Sequence, residues 1–237
     1  MLQGKKFLGL IPARGGSKGI KRKNIREIAG SPLISYTIRA GLASKALDAV
    51  VVSTDDEEIA SVARSYGAEI PFMRPAELAG DTSKTVDCVV HAVRTLASEG
   101  REYDAVVLLQ PTSPLRRASE IDDACELFLE TEMRGVASVS EVHDHPILIR
   151  SIGEGHELHK LLEGTGSTAR RQDMPAFYRV DGGIYVNATS TLGLDTSFND
   201  NPIGYVVEDA DSAVDIDTME DFRRAERLLE GRHDGER

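Results

Sequence analysis

The chain of 237 residues is poor in positive charge. Lys and Arg number 28 against 39 Asp and Glu, a net charge of −11 with histidine neutral. A surface that acidic repels a phosphodiester backbone, which argues against sequence-independent binding of DNA or RNA. Any anionic ligand must then be held by a local basic cluster or by a metal. Cysteine is scarce too. Cys88 and Cys125 make neither a disulfide framework nor a CxxC metal site, and read as small buried apolar side chains. With 21 glycines and 9 prolines, the bias of collagen or low-complexity sequence is missing. Long apolar runs are missing as well. Phe7-Leu8-Gly9-Leu10-Ile11, behind Lys5-Lys6, is too short for a signal-peptide core and far too short to span a bilayer. A soluble, cytoplasmic protein without membrane or nucleic-acid partners is expected.

The 41% of apolar residues can fill one large core or two small ones. Phe7–Ile11, Ala49–Ser53 and Ala105–Leu109 are nearly unbroken apolar runs, the pattern of parallel strands buried on both faces. Amphipathic stretches lie between them. Ser31-Pro32 predicts a helix start, with Ser as N-cap and Pro in first place. Asp55-Asp56 opens a second helix that closes at Gly67. Further helices are expected over about 82–98, 119–131 and 218–229, the last with a Thr218-x-x-Asp221 capping pattern. Strands are expected again at Val136–Val142, Arg179–Asn187 and Gly204–Val207, and Gly231–Arg237 reads as a frayed end. Alternating strands and helices predict one α/β domain over 1–237, Rossmann-like with a mostly parallel sheet. Residues of about 140–180 lose this periodicity and read as an inserted arm, too short to fold alone.

The first loop carries the clearest chemistry. Arg14-Gly15-Gly16-Ser17-Lys18-Gly19-Ile20-Lys21-Arg22-Lys23-Asn24 follows the first buried strand, where open α/β sheets place their ligands. Three glycines expose backbone N–H groups, and five cations fall within eleven residues of an acidic chain. Backbone and Ser17 would bind polyphosphate oxygens while Arg14, Lys18 and Lys23 neutralise their charge. It is neither a P-loop nor a dinucleotide fingerprint, since both glycine spacings are absent.

Other motifs sit at comparable places. Gln110-Pro111-Thr112-Ser113-Pro114-Leu115-Arg116 follows the most apolar strand and offers uncharged hydrogen-bonding groups on a stiff turn, a kit for a sugar with many hydroxyls. Arg74 ends another apolar segment and could donate to a base carbonyl or pair with Glu77 on the surface. Asp215 and Asp217 share one face of an extended segment, which suits either a divalent cation or an acidic edge before a helix. Arg170-Arg171-Gln172 and Tyr178-Arg179 form a second cationic cluster in the arm, able to grip a carboxylate. His143, His145 and His91 read as structural.

Taken in order, Ile11–Ile20 with Lys23-Asn24, Val52–Asp56, Arg74–Leu78, Asp81-Thr82, Leu109–Arg116 and Asp215–Thr218 resemble the acylneuraminate cytidylyltransferases. That family activates sialic and related nonulosonic acids as CMP-sugars. The resemblance implies CTP and a nonulosonic acid as substrates, Mg²⁺ on Asp215 and Asp217, and a homodimer in which the arm reaches the partner's site. It implies catalytic roles for Arg14, Lys18, Lys23 and Asp217. Gly15, Ser17, Asn24, Arg74 and the backbone near Ser83 join the nucleotide's binding set, with Arg74 reading cytosine. Gln110, Thr112, Ser113, Arg171, Gln172, Arg179 and Asn187 are then expected around the acid. Some members carry Lys after a His-Pro pair in the arm. Here Leu148 follows His145-Pro146-Ile147, which favours an acid other than N-acetylneuraminate. Competing readings are a 3-deoxy-octulosonate cytidylyltransferase, whose first loop looks different, and a catalytically inactive nucleotide-binding regulator.

Overall fold

The computed structural model describes residues 1–17, 19–142, 144–162 and 175–235. Among these residues ten strands and five α-helices follow one another. They are β1 (Phe7–Pro12), β2 (Glu27–Ile28), β3 (Ser31–Pro32), α1 (Leu33–Ala43), β4 (Ala49–Ser53), α2 (Glu57–Ser65), α3 (Thr85–Ser98), β5 (Ala105–Leu109), α4 (Ala118–Glu130), β6 (Val136–Glu141), β7 (Arg150–Ile152), β8 (Leu158–Lys160), β9 (Tyr178–Ala188), β10 (Ile203–Val206) and α5 (Met219–Gly235).

Six strands make the central sheet, in the order β10-β6-β9-β5-β1-β4. β4, β1 and β5 run parallel, as do β6 and β10, while β9 runs antiparallel between β5 and β6. The sheet is therefore mostly parallel, as the unbroken apolar runs require: every residue of β4 and β5 is buried. On one face Ile34 and Ile38 of α1, Ile59 of α2 and Ile121 and Phe128 of α4 cover the sheet, with Phe128 edge-on to Phe7 at 6.1 Å. On the other, Val86, Val89 and Leu96 of α3 pack on Leu8, Leu10 and Val106. A third cluster seats α5 through Phe222, Ala225 and Leu229 against Ile20, Leu33, Leu115 and Ile216. That cluster brings the end of the chain beside both ligand-facing loops.

Two local expectations are corrected. Ser31-Pro32 does not cap α1. It pairs antiparallel with Glu27–Ile28, and α1 begins after Pro32 without a side-chain cap. The C-terminal stretch, expected to fray at Gly231, continues as helix to Gly235. Arg232 anchors it, donating to the Leu115 carbonyl at 2.7 Å and pairing with Asp209 at 2.9 Å. The other caps stand as read. Asp56 accepts from the backbone of Glu58 and Ile59, both at 3.0 Å. Thr218 and Asp221 cap one another's backbone reciprocally.

The described part of the arm holds the β7–β8 hairpin, which stands outside the central sheet. It exposes Ile152 and Leu158, with Leu148 and Leu161 beside them. Among the described residues no helix is long and apolar enough to cross a membrane.

Candidate active site

The chain passes from β1 through α1 to β4 on one side, and β5 then lies on the other side of β1. This reversal opens a crevice at the carboxyl ends of β1 and β5, where α/β sheets bind ligands. Two cavities of about 260 Å³ each occupy it. Pro12, Arg14 and Gln110 line both. One extends over Arg74, Ser83 and Cys88, and the other over Ser17, Gly19, Lys23, Thr112 and Asp217.

In the first cavity Arg74 is buried at 7% exposure, and Nε donates to the Ser53 hydroxyl at 3.1 Å. Nη2 donates to the Ser53 carbonyl. The surface pair with Glu77 is absent. Ser83 turns its hydroxyl onto the Glu77 carbonyl at 2.9 Å, closing the 76–83 loop over the cavity. Arg14 spans the boundary between the cavities, donating to the Gly80 carbonyl and to Asp81, each at 3.1 Å.

The glycine-rich loop is tied from several sides. Asn24, buried, donates to the Arg14 carbonyl at 3.0 Å. Lys23 Nζ lies 2.6 Å from the Ile216 carbonyl and 3.4 Å from Asp217. Arg22, at a left-handed φ of 57°, pairs with Asp56 and Glu58 at the start of α2. Gly15 departs from its expected role. Its N–H donates to Asp55 at 3.1 Å, and a side chain there would strike the Asp56 carboxylate. Gly15 is needed for close packing on the β4–α2 turn, and its amide is engaged there. Asp55 and Asp56 are thus site-supporting residues whose sequence pattern announced only a helix cap.

Asp217 lines the second cavity from the segment before α5, and Asp215, two residues earlier, lines neither cavity. Thr112 holds this segment, accepting from the Ile216 N–H at 2.9 Å and hydrogen-bonding Asp215 through its side chain. Burial pushes the Asp215 carboxyl above its ordinary range against that hydrogen bond, and the like charge of Asp217 adds to the rise. Oδ1 of Asp215 is buried without a partner, while the Asp217 side chain is 79% exposed. An orphaned buried oxygen two residues from an exposed carboxylate is a donor set suited to Mg²⁺. Among the described residues no group of three or more His, Cys, Asp or Glu could hold a metal, so phosphate and water would complete the shell.

The expected acid-binding residues separate. Gln110 and Thr112 line the crevice, but Ser113 is buried at 2% exposure and lines neither cavity. Arg179 is exposed near the start of β9, beside Ser140 of β6. It lines a separate groove of about 810 Å³ with Glu141, Tyr178 and Arg224. Asn187 is not at the site. β9 runs antiparallel, so its end lies at the opposite edge of the sheet, where Asn187 and Asn201 exchange amide hydrogen bonds at 2.8 and 3.0 Å. Lys18, Arg171 and Gln172 fall outside the described residues.

Arg116 went unassigned in the sequence. It is buried, which lowers its guanidinium pKa to about 10, and Nε donates to the Gly183 carbonyl at 2.9 Å. It also donates to the Gln110 carbonyl. Arg116 thereby fixes the β5 loop to β9 from below.

A family profile described as cytidylyltransferase matches residues 8–233. The CMP-N,N'-diacetyllegionaminic acid synthase of Legionella pneumophila is 35% identical over 95% of this chain and 97% of its own. The pseudaminic acid cytidylyltransferase of Campylobacter jejuni strain 81-176 is also 35% identical, over 97% and 98%. An N-acylneuraminate cytidylyltransferase of Escherichia coli is 33% identical over 93% of this chain, which spans about half of that longer protein. Among solved structures, a CMP:2-keto-3-deoxy-manno-octonic acid synthetase complexed with CTP superposes with a TM-score of 0.72 over 96% of this chain and 99% of its own. At 16% identity that likeness concerns the fold.

Proposed function

The chain belongs to the cytidylyltransferase family, and on that premise we propose that it transfers CMP from CTP to a nonulosonic acid, releasing pyrophosphate. The observation carrying this reading is the pair of cavities joined at Pro12, Arg14 and Gln110. One is a small polar pocket with a buried arginine, of a size for a pyrimidine. The other collects the cations and carboxylates that a triphosphate and its metal require.

Bound in this way, CTP lays its base against Arg74 and the 76–83 loop. Its phosphates follow Arg14 and Ser17 towards Lys23, with Lys18 completing the cationic set. Asp215 and Asp217 would hold Mg²⁺, which would supply charge neutralisation at the phosphates. The anomeric hydroxyl of the acid attacks the α-phosphorus in line as the bond to pyrophosphate breaks. Arg14 and Lys23 stand where negative charge grows, so the protein's contribution is chiefly positioning and electrostatic stabilisation. Gln110 and Thr112 face the acid from the crevice, and Arg179, which lies in a separate groove of its own chain, would take the carboxylate with Arg171 and Gln172 from the arm of a second copy.

Full-length relatives that act on legionaminic and pseudaminic acids agree with the apolar Leu148 in favouring an acid other than N-acetylneuraminate. The exposed Leu148, Ile152, Leu158 and Leu161 suit burial against a second copy of the chain, a cytoplasmic homodimer. Pyrophosphate release from CTP with a panel of sialic, legionaminic and pseudaminic acids and 3-deoxy-octulosonate tests the reaction. Turnover only with the octulosonate would replace the acid named here. Comparable turnover with ATP or GTP would remove the base assignment.

A further inference from the structure

Arg74 is a buried cation without an ion pair among the described residues; its side chain donates to neutral oxygens of one residue, Ser53, with the Cys88 thiol beside it. Ser53 closes β4 and is fully buried. Its hydroxyl accepts from Arg74 Nε at 3.1 Å and lies 3.3 Å from the Cys88 sulfur, and its carbonyl accepts from Arg74 Nη2. That same carbonyl accepts the Ala13 N–H at 3.0 Å, at the entrance to the glycine-rich loop. The Arg74 backbone is tied as well, donating to the Thr54 carbonyl at 2.8 Å.

Two parallel contacts on one edge fix the plane of a guanidinium as a single contact does not. With Nε and Nη2 engaged, Nη1 donates to no oxygen among the described residues and remains available, beside the Cys88 thiol, to a ligand in the cavity that both residues line. A lysine in place of Arg74 would have one point charge and no edge to grip.

We propose that Ser53 is a positioning residue for nucleotide selection: its hydroxyl and carbonyl hold Arg74 edge-on, so that one guanidinium nitrogen is presented to the base. The inference rests on the reading of Arg74 as the base-binding arginine and adds the element that aims it. Ser53 also joins the two halves of the nucleotide site, because its carbonyl holds the base-reading side chain and the start of the phosphate loop together. Ser53 itself has no need to touch the ligand.

A double-mutant cycle on CTP affinity, measured by calorimetry on the full chain without acid, tests this. Arg74→Met should weaken CTP binding about 10- to 100-fold, the scale of a lost charge-assisted contact. Ser53→Ala should weaken it about 3- to 10-fold, with KM for the acid unchanged. In the Arg74→Met background Ser53→Ala should cost nothing more, because the group it aims is gone. Ser53→Cys, which keeps the volume with a poor acceptor, should match Ser53→Ala and guards against a packing defect. Unchanged affinity in both Ser53 variants, or a loss that adds fully in the double variant, would overturn the positioning role. If Arg74→Met binds CTP normally, the base assignment fails with it. A loss confined to Arg74→Met removes only the part given to Ser53.

Discussion

The side-chain amide of Asn24 donates to the backbone carbonyl of Arg14 at 3.0 Å, joining the two ends of the glycine-rich loop. Asn24 is buried, so this bond is shielded from competing water. It sets where Arg14 leaves the backbone, and Arg14 reaches both cavities. Asn24→Ala should lose about 1 kcal/mol, lowering the thermal midpoint by about 2–4 °C in a chain of this size. Turnover should fall about 10-fold as Arg14 drifts from register. Differential scanning fluorimetry and steady-state kinetics measure the two effects. Full activity in the variant would show that the loop holds its shape unaided.

Asp217 offers a cleaner separation of stability from chemistry. Its side chain is exposed, and its ion pair is a 3.4 Å contact with Lys23. Exposed pairs of this kind contribute little to folding. Asp217→Asn should abolish pyrophosphate release while leaving the thermal midpoint nearly unchanged, and EDTA should reproduce the loss in the unaltered protein. A fully active variant would assign Asp217 to the surface.

Arg179 and Arg14 are expected to act on different substrates. Arg179 lines the groove beside β6 and β9, whereas Arg14 lines the crevice. Arg179→Ala should raise KM for the acid about 10- to 100-fold and leave KM for CTP unaltered. Arg14→Ala should lower kcat with CTP, since it faces charge that grows in the transition state. Equal effects of both variants on CTP would place Arg179 outside the acid's binding set.

Asp56 sets an acid limit on stability. The Arg22 guanidinium and the N–H groups of Ile59 and Glu58 hold its carboxyl below the ordinary value of 3.8, against a smaller opposing effect of burial. A carboxyl lowered on folding stabilises the native state above its unfolded value, and that stabilisation disappears as pH falls through the folded value. Asp56→Ala should therefore lose about 1 kcal/mol near neutrality, as for an N-cap, and progressively less as the pH falls below 3.8 towards the lower folded value. Denaturant titrations at pH 7 and near pH 3 compare the two. Equal losses at both would mean that packing outweighs charge at this cap.

The fold was legible where residue pattern has one physical outcome. Unbroken apolar runs such as Ala105–Leu109 have no polar face to turn to water, and became buried parallel strands. Asp56 and Thr218 had local backbone donors within reach and capped as expected. Ser31 had the same chemistry, yet a chance to pair with Ile28 outweighed the cap. At the site, glycine and charge pointed correctly to the first loop, but not to which amides remain available. Gly15 was drawn to Asp55 from another segment, a contact between residues 40 positions apart. Asn187 was misplaced because the direction of β9 is a property of the whole sheet, invisible in its own residues. Ser53 and Arg116 were assigned no role for a related reason, since their partners, the Arg74 side chain and the Gly183 carbonyl, come from distant segments of the chain.

Gly19 shows which flank of the loop is closed to movement. A β-carbon there would lie 2.7 Å from the Asp217 carbonyl oxygen, so the loop and the carboxylate segment already meet at backbone distance. Nothing larger than hydrogen fits between them, and no inward swing remains on that flank. On the opposite flank Arg14 meets Gly80 and Asp81 through exposed hydrogen bonds of 3.1 Å, which water can replace. A triphosphate that takes the Arg14 guanidinium therefore replaces contacts already open to water, while at Gly19 the loop has no room to give way towards Asp217.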